Sequence, residues 1–479
     1  MLFNLSLSTG TVPDDIKVAK VVPIYKKDNP QHFGNYRPVS VLPTFSKILE
    51  RIVHDRCCDF LVKNNVLYQK QYGFRNNHTT YLAVLDFVKE VNKAIDDDKL
   101  TVGIFMDLSK AFDTIDHTIL LDKLYHYGFR GVSHAWFSDY LSNRKQYVQF
   151  NNTVSSHEKV ICGVPQGSIL GPLLFILYMN DICNTSKLLS FILFADDTTV
   201  FFSDKDINVL YDTMNNELQE VCNWFKCNKL SLNASKTNLM LLGTAYKTKN
   251  AKVDNSIQLD GCKLTRITST KFLGMIIDEN LTWKSHIENV CKLCSRNLGV
   301  LNKVKHFLPK NSLYQLYCSF ILPYLLYGIL LWGNASMTYL TKVFKLQKRA
   351  IRIISNSSYL CHTKPLFEKY NTLNIFELYN KELGIFMYKY KKGLLPSSFD
   401  HVFTELGSFH EYNTRFKTNF RHEIHKIKTV FNTGPKLWNN LPESVKNAIN
   451  LNSFKKAISS FLSNTNDQMS SRYSSVVSR

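Results

Sequence analysis

The sequence contains the stretch Leu188-Leu-Ser-Phe-Ile-Leu-Phe-Ala-Asp-Asp-Thr-Thr-Val-Phe-Phe202, in which Asp196 and Asp197 lie between two apolar segments typical of strands. Two neighbouring carboxylates repel each other, and partial burial removes water that would screen their charge. A divalent cation bound to the carboxylate oxygens relieves this repulsion. The stretch therefore predicts a β-hairpin with a metal site at its tip.

A third carboxylate of the same kind, Asp107, lies 89 residues upstream. Residues 101–106 before it are apolar, and apolar residues recur at helical spacing after it, so we expect Asp107 to end a strand and face a helix start. If the two strands are neighbours in one sheet, the three carboxylates form a cluster that can hold two divalent cations roughly 4 Å apart. Taken alone, each motif also fits a turn or helix-capping aspartate.

The composition indicates a large globular protein that suits a polyanionic partner. The chain has 479 residues, of which 44% are hydrophobic, so wholesale disorder is excluded and about two to four packed units are expected. A net charge of +20 together with 24 Tyr and 32 Phe suits a ligand whose phosphates contact Lys and Arg and whose bases contact rings. Charge alone is weak evidence, because many basic proteins bind nucleic acid only incidentally.

The cysteines and the N-terminal sequence indicate an intracellular protein that is not secreted. The 11 cysteines lack the regular spacing of a disulfide scaffold, and the first residues lack the pattern of a signal peptide. The apolar run 320–332 is too short to cross a bilayer and contains Pro323 and Gly328, so we expect a buried helix and no membrane partner.

Helical and strand patterns divide the chain coarsely. Residues 43–67 and 207–224 show helical spacing, the region from about 81 to 260 alternates helix and strand, and the chain after Leu273 is mostly helical and basic. Within that last region, His286, Cys291 and Cys294 raise the alternative of a zinc site. Their spacing fits one helix face and a second ligand pair is missing, which favours a structural role.

A glycine- and proline-rich segment, Gly163-Val-Pro-Gln-Gly-Ser-Ile-Leu-Gly-Pro172, lies between Asp107 and the aspartate pair. Glycines let the backbone approach a ligand closely, and Gln166 can hydrogen bond without bringing charge. Alone, the segment could be ordinary turn chemistry. Its order and spacing relative to the carboxylates match the pattern of a polymerase palm.

Seven ordered motifs resemble the reverse transcriptase of non-LTR retrotransposons, of the jockey-like or LINE type. They are Asn35-Tyr-Arg-Pro-Val-Ser-Val-Leu42, Gln71-Tyr-Gly-Phe-Arg75, Phe105-Met-Asp-Leu-Ser-Lys-Ala-Phe-Asp113, Gly163-Val-Pro-Gln-Gly-Ser168, Phe194-Ala-Asp-Asp197, Leu230-Ser-Leu-Asn-Ala-Ser-Lys236 and Phe272-Leu-Gly274.

The resemblance implies an α+β fold, a right-hand polymerase with fingers, palm and thumb and a mostly helical C-terminal extension. The implied domains are fingers and palm at residues 1–275, a helical thumb at 276–350, a C-terminal helical and basic region at 351–465 and a disordered tail at 466–479.

The resemblance also implies the catalytic residues. Asp107, Asp196 and Asp197 match the ligands of two Mg²⁺ ions, with Mn²⁺ as an alternative ion, and they are catalytic together with Lys236, which matches a lysine proposed to protonate pyrophosphate. Phe112 matches the aromatic residue whose ring meets a 2′-hydroxyl, so it should favour dNTPs over rNTPs. Gln166 matches the amide that lines the nucleotide pocket.

Basic residues complete the implied nucleotide site. Arg37 matches a cation of the fingers, and Lys26 or Lys27 is a second candidate for the triphosphate. Arg75 matches a residue that contacts the template or the incoming nucleotide, although it would equally fit a brace of the fingers through an ion pair.

The resemblance implies an RNA-directed DNA polymerase that adds dNTPs to a primer 3′-hydroxyl, with an RNA template, a DNA primer or target DNA and dNTPs as partners. Two alternatives stay open: a catalytically silent RNA-binding relic of a truncated element, and a metal-dependent nuclease that uses the same carboxylates.

Related proteins carry an endonuclease before the polymerase, whereas this chain begins just ahead of the first motif. We therefore expect a truncated copy or the polymerase portion of a longer reading frame, which lacks the N-terminal endonuclease and uses one supplied in trans. A cytoplasmic ribonucleoprotein or a nuclear location is expected.

Overall fold

The computed structural model of the chain describes residues 2–251, 256–406, 419–422 and 426–464. The tail expected to be disordered, 466–479, lies outside these residues. Helices occupy the ranges α1 Leu2–Thr9, α2 Thr44–Lys63, α3 Thr80–Asp96, α4 His117–His126, α5 Val132–Leu141, α6 Leu170–Met179, α7 Ile207–Cys227, α8 Ala245–Asn250, α9 Lys284–Val304, α10 Lys310–Phe320, α11 Leu322–Leu326, α12 Ile329–Trp332, α13 Met337–Ser355, α14 Lys364–Lys369, α15 Ile375–Lys391, α16 Val430–Asn440, α17 Glu443–Lys446 and α18 Leu451–Asn464.

The strands lie mainly in the first half of the chain. They are β1 Val18–Tyr25, β2 Tyr36–Val41, β3 Leu100–Met106, β4 Lys145–Phe150, β5 Thr153–Val154, β6 Glu158–Lys159, β7 Ser190–Phe194, β8 Asp197–Asp204, β9 Asn238–Leu242, β10 Gln258–Leu259, β11 Cys262–Lys263, β12 Ser269–Phe272 and β13 Met275–Asp278. The mixture of sheets with a helical C-terminal part confirms the predicted α+β class.

The chain divides into two compact units. The first contains Met1–His78, Val102–Leu239 and Lys252–Arg266, and the second contains Thr79–Thr101, Met240–Ala251 and Ile267–Arg479.

The aspartate pair lies on a four-stranded sheet with the strand order β7-β8-β3-β9. Strands β7 and β8 form the predicted antiparallel hairpin, in which Phe194 pairs with Asp197, so Ala195 and Asp196 make the turn. Every residue of β3 is buried, as expected for an internal strand covered on both faces. Because β3 and β8 are neighbours in this sheet, Asp107, which directly follows β3, lies at the same sheet as the aspartate pair.

A second sheet in the first unit has the order β2-β1-β4-β5, and β6 also pairs with β4. Strand β1 pairs antiparallel with β2 and parallel with β4, with Ile24 opposite Arg37. Helix α6 packs against α2 and α4, and its nearly continuous apolar sequence is buried. A helix that is apolar on all sides belongs in a core, and α6 begins directly after the glycine-rich segment.

The helix expected directly after Asp107 begins later than the sequence pattern predicted. Lys110 adopts a left-handed conformation with φ 52°, and a short 3-10 helix at Ala111–Asp113 follows. Helix α4 begins only at His117, because the Asp116 side chain accepts hydrogen bonds from the N–H groups of Thr118 and Ile119 and caps it. The apolar residues that suggested one helix therefore belong to a turn and a later helix.

The second unit is helical after Asp278 among the described residues, as predicted. The apolar run 320–332 is not one helix, because Gly328 has φ 62° and separates α11 from α12. No helix in the described part of the chain is both long and apolar enough to cross a membrane.

His286, the histidine of the zinc alternative, lies in the core of the second unit. Its Nδ1 accepts a hydrogen bond from the Ile276 N–H, and its ring lies 5.9 Å from that of Trp332. Burial lowers the pKa of His286 to about 4, so the ring is neutral at pH 7. These contacts fit a structural role.

Glu50 of α2 is a buried carboxylate, 1% exposed, that anchors the start of α6. It accepts hydrogen bonds from the Ser46 and Tyr140 hydroxyls and from the N–H groups of Ile169 and Leu170, the last two at 2.6 and 3.4 Å. A carboxylate at a helix N-terminus is stabilised by the unpaired N–H groups there. Glu50 therefore fixes the end of the glycine-rich segment where α6 begins.

We predict that Glu50→Leu destabilises the chain by about 3 kcal/mol, because it leaves buried donors without an acceptor. Urea denaturation followed by circular dichroism and tryptophan fluorescence measures the loss. The control Glu220→Leu, on an exposed position of α7, should change the free energy of unfolding by less than about 0.5 kcal/mol. Equal effects of the two substitutions would contradict the anchoring role.

Candidate active site

A cleft of about 1440 Å³ opens in the first unit between the two sheets, the 3-10 helix and the glycine-rich segment. Most of the residues predicted to be functional line it. Those residues are Arg37, Asp107, Phe112, Gln166, Asp196 and Lys236. Asp197 and Arg75 are not among its lining residues.

The carboxylates interact electrostatically inside this cleft. Burial by surrounding protein raises the pKa of Asp196, and repulsion from Asp107 raises it further. The pKa of Asp197 is raised to about 6, first by burial and then by repulsion from Asp196 and Asp107. The side chains of Asp196 and Asp197 reach the surface, yet neighbouring atoms remove enough water to disfavour their charged forms.

Asp196 and Asp197 occupy different positions relative to the cleft. Within the described ranges, no group of three or more His, Cys, Asp or Glu side chains is arranged to hold a metal ion. Asp196 is a turn residue and lines the cleft, whereas Asp197 begins β8 and does not. Asp107 and Asp196 therefore share the cleft, and the role of all three carboxylates as metal ligands stays a prediction.

Lys236 lies beside Asp107. Its Nζ is 3.3 Å from Asp107 Oδ2, and both side chains are partly exposed. The segment before it is tied to the end of β3, because the Asn233 N–H donates to the Asp107 carbonyl at 2.9 Å and the Ser109 N–H donates to the Ser231 carbonyl. The structure thus brings the predicted lysine to the predicted carboxylate.

Phe112 belongs to the 3-10 helix at Ala111–Asp113 and is half-buried. Its ring stacks on Phe175, with 4.5 Å between the centroids, and makes an edge contact with Phe74 at 6.2 Å. These contacts hold the ring at the cleft wall. Its role as a steric gate stays a prediction.

Gln166 is held by Asp113, a residue to which the sequence assigned no role. The Gln166 Nε2 donates to Asp113 Oδ1 at 2.9 Å, and the Gln166 carbonyl accepts from the Ser40 N–H at 2.7 Å. Burial raises the pKa of Asp113, while this hydrogen bond lowers it. Asp113 follows Asp107 by six residues within one motif, but nothing in that spacing indicates a partner 53 residues away.

Glycine at position 167 is required by a close approach to β2. It has φ 119°, and a Cβ placed there would lie 2.6 Å from the Ser40 carbonyl oxygen. A side chain would push the glycine-rich segment away from β2. The segment can therefore keep Gln166 in the cleft only if residue 167 is glycine.

Two basic side chains reach the same cleft. Lys26 and Arg37 are exposed at its wall. Their positive charges offset part of the rise in the pKa of Asp196, so both lie near that carboxylate. Lys27 instead lies 3.8 Å from Asp28 and does not line the cleft. Of these two neighbouring lysines, Lys26 is the one positioned to meet a bound anion.

Arg75 braces the loop that follows α2. Its Nη1 donates to the carbonyls of Tyr68 and Gln71 at 2.8 and 3.1 Å. Burial lowers the pKa of its guanidinium. The contacts suit a brace through backbone carbonyls rather than through an ion pair, and a contact between Arg75 and a nucleotide stays a prediction.

Comparisons with known proteins agree with the motifs. The sequence pattern of the family described as "Reverse transcriptase (RNA-dependent DNA polymerase)" matches residues 24–277. Among curated proteins, the "Probable RNA-directed DNA polymerase from transposon BS" of Drosophila melanogaster is 27% identical over 390 residues, which cover 79% of this chain and 42% of that protein. The "RNA-directed DNA polymerase from mobile element jockey" of the same organism is 27% identical over 379 residues, 76% of this chain and 40% of that protein.

The chain thus spans about two fifths of the length of these curated relatives. Among solved structures, the apo telomerase of Candida tropicalis is similar with a TM-score of 0.42 and 13% identity, covering 79% of this chain and 68% of that one. The family match covers more than half of the chain and includes each of the predicted site residues. The chain belongs to the reverse transcriptase (RNA-dependent DNA polymerase) family.

Proposed function

We propose that the chain is the RNA-directed DNA polymerase of a non-LTR retrotransposon and adds dNTPs to a primer 3′-hydroxyl under the direction of an RNA template. One observation carries the proposal: Asp107 and Asp196, which lie at the ends of the neighbouring strands β3 and β8, line the same 1440 Å³ cleft as Arg37, Phe112 and Gln166. This combination fits nucleotidyl transfer, in which acidic side chains hold metal ions at the triphosphate, basic side chains contact its phosphates and a ring can pack near the sugar.

Reverse transcriptases generally use divalent metal ions, and the donor set of this cleft fits them. The pKa values of Asp196 and Asp197 are raised first by burial and then by repulsion between the carboxylates, which a cation would relieve, and carboxylates are hard oxygen ligands. Asp107 and Asp196 would hold two Mg²⁺ ions, or Mn²⁺ in their place, with Asp197 completing the acidic set. When bound, the ions would lower the pKa of the primer hydroxyl and neutralise the triphosphate.

The remaining residues would bind and orient the substrates. Arg37 and Lys26 would contact the triphosphate, since both are exposed on the cleft wall near Asp196. Gln166, oriented by Asp113, would hydrogen bond the nucleotide without adding charge. Lys236 would hold a proton beside Asp107, where the leaving pyrophosphate would accept it.

The domain assignment is part of the same proposal. We assign fingers and palm to residues 1–275, a thumb to 276–350 and a C-terminal helical region to 351–465. The start of α9 at Lys284, soon after the last strand, supports a helical thumb that begins near this point. The proposed partners are template RNA, primer or target DNA and an endonuclease acting in trans, in an intracellular ribonucleoprotein.

Primer extension on an RNA template tests the function. We expect the wild-type chain to extend a DNA primer with dNTPs and Mg²⁺, and we expect Asp196→Asn to lower the rate by about a thousandfold, because it removes a metal-binding charge at the reacting centre. The control Asp204→Asn, at the far end of strand β8, which follows the Asp196 turn, should retain at least half of the wild-type rate.

Three outcomes would contradict the proposal. Shortened strands in place of extended ones would indicate a nuclease. RNA binding without extension in any divalent cation would indicate a catalytically silent relic. Full activity of Asp196→Asn would remove this carboxylate from the site.

Phe112 should set sugar selectivity. We expect Phe112→Ala to raise the kcat/KM for rNTPs relative to dNTPs by about tenfold or more, equivalent to about 1.4 kcal/mol, because the ring no longer occupies the space of a 2′-hydroxyl. Phe112→Tyr keeps the ring and should keep the discrimination. Single-nucleotide incorporation kinetics measure both ratios.

The control for this experiment is Phe150→Ala, which removes another ring of the cleft wall, on β4. It should leave the ratio of rNTP to dNTP efficiency within about twofold of wild type. If Phe112→Ala leaves the ratio unchanged as well, Phe112 does not act as a gate.

A further inference from the structure

Gln71 lies directly behind the turn that carries Asp196. Its side chain is fully buried, with 0% exposure, in the loop that follows α2. The Gln71 Oε1 accepts two hydrogen bonds, one from the Gly73 N–H at 2.8 Å and one from the Ala195 N–H at 3.3 Å. Ala195 immediately precedes Asp196, so this side chain contacts the turn 124 residues away in sequence.

The backbone of the same loop runs beside β7. The Tyr72 N–H donates to the Leu193 carbonyl at 2.7 Å, and the Leu193 N–H donates to the Lys70 carbonyl at 3.0 Å. Gln71 and Leu193 form a parallel bridge. The loop therefore adds a short strand-like support to the hairpin, and Gln71 extends that support to the turn.

Gly73 makes this approach possible. A Cβ at position 73 would lie 2.3 Å from the Ala195 backbone nitrogen, a distance that only glycine can accommodate. The loop and the turn are thus in direct backbone contact. Any side chain at position 73 would separate Gln71 from Ala195.

The turn needs such support, because Ala195 has a left-handed backbone with φ 56°. A residue other than glycine adopts this region at a cost of roughly 1–2 kcal/mol. Ala195 is also buried, 4% exposed, so its N–H would lose a hydrogen bond if Gln71 did not accept it. By accepting a hydrogen bond from the Ala195 N–H, the Gln71 oxygen both supports the left-handed backbone of Ala195 and pairs its buried N–H.

We propose that Gln71 is a positioning residue that holds the Ala195 turn, so that the Asp196 carboxylate stays beside Asp107 in a geometry ready to bind a cation. Its effect on catalysis rests on the proposed polymerase function. Its effect on the hairpin and on cation binding does not. The Gln71 Nε2 is buried without a hydrogen-bond partner, so the oxygen, not the amide nitrogen, carries the role.

The test compares two substitutions that remove the acceptor from this position. Gln71→Met keeps the length and approximate volume of the side chain. Gln71→Asn keeps the amide but withdraws it by about one bond length, 1.5 Å, from the Ala195 N–H. If Gln71→Met does not fold, Gln71→Asn carries the test. Circular dichroism establishes folding before any other measurement.

Cation binding is the first readout, because it does not depend on polymerase activity. Mn²⁺ binding to the free chain, followed by electron paramagnetic resonance, should weaken at least fivefold in Gln71→Met and in Gln71→Asn. Kinetics are the second readout. We expect kcat to fall about tenfold to a hundredfold, with the KM for dNTP and the affinity for the RNA template each within about threefold of wild type.

Tyr68→Phe is the matched control. The Tyr68 hydroxyl donates to the Phe191 carbonyl at 3.2 Å, so it joins the same loop to the same strand away from the turn. It should leave Mn²⁺ affinity and kcat within about twofold of wild type.

The outcomes separate a positioning role at the turn from general support of the loop. Unchanged Mn²⁺ affinity and kcat in folded Gln71 variants would overturn the proposal, and so would equal losses in Tyr68→Phe, since these indicate general loop support. If the wild-type chain does not extend primers, the polymerase function fails, while weaker Mn²⁺ binding in the Gln71 variants would still support the positioning role.

Discussion

The burial of neighbouring carboxylates, and the repulsion between them, is the constraint around which the cleft of the first unit is arranged. Asp107 and Asp196 are close enough to interact, and the pKa of Asp196 is raised first by the loss of surrounding water and then by repulsion from Asp107. Basic side chains offset part of this negative charge. The Lys236 Nζ lies 3.3 Å from Asp107 Oδ2, and the charges of Lys26 and Arg37 oppose the rise in the pKa of Asp196. Basic side chains therefore compensate part of the negative charge of the site.

The segments around these carboxylates are fixed by contacts that are remote in sequence. Glu50 anchors the start of α6, Asp113 holds the Gln166 amide, and Gln71 holds the Ala195 N–H. Each contact uses a buried or half-buried polar group whose partner would otherwise be unpaired, so each one specifies a single arrangement. These hydrogen bonds join the loops around the cleft to one another, which suits a reaction that depends on positioning.

Local patterns predicted the elements more successfully than the contacts between them. The β7–β8 hairpin and helices α2, α7 and α9 follow from apolar spacing, because burial imposes that spacing along one element. The delayed start of α4 was missed, since a left-handed Lys110 and the Asp116 cap override the helical pattern. The contact between Gln71 and Ala195 joins residues 124 apart, and no local rule encodes such a contact. The motifs identified residues that mostly line one cleft, and the structure shows which side chains hold the segments around it.

Binding of the catalytic cations by Asp107 and Asp196 together is the proposal on which the function of the cleft rests. The most direct measurement is anomalous diffraction from crystals of the chain grown with an RNA template, a DNA primer, a non-hydrolysable dNTP and Mn²⁺. We expect manganese peaks within about 2.0–2.2 Å of carboxylate oxygens of Asp107 and Asp196. Manganese bound elsewhere, with Lys236 still in contact with an unliganded Asp107, would contradict the assignment of these two carboxylates as ligands.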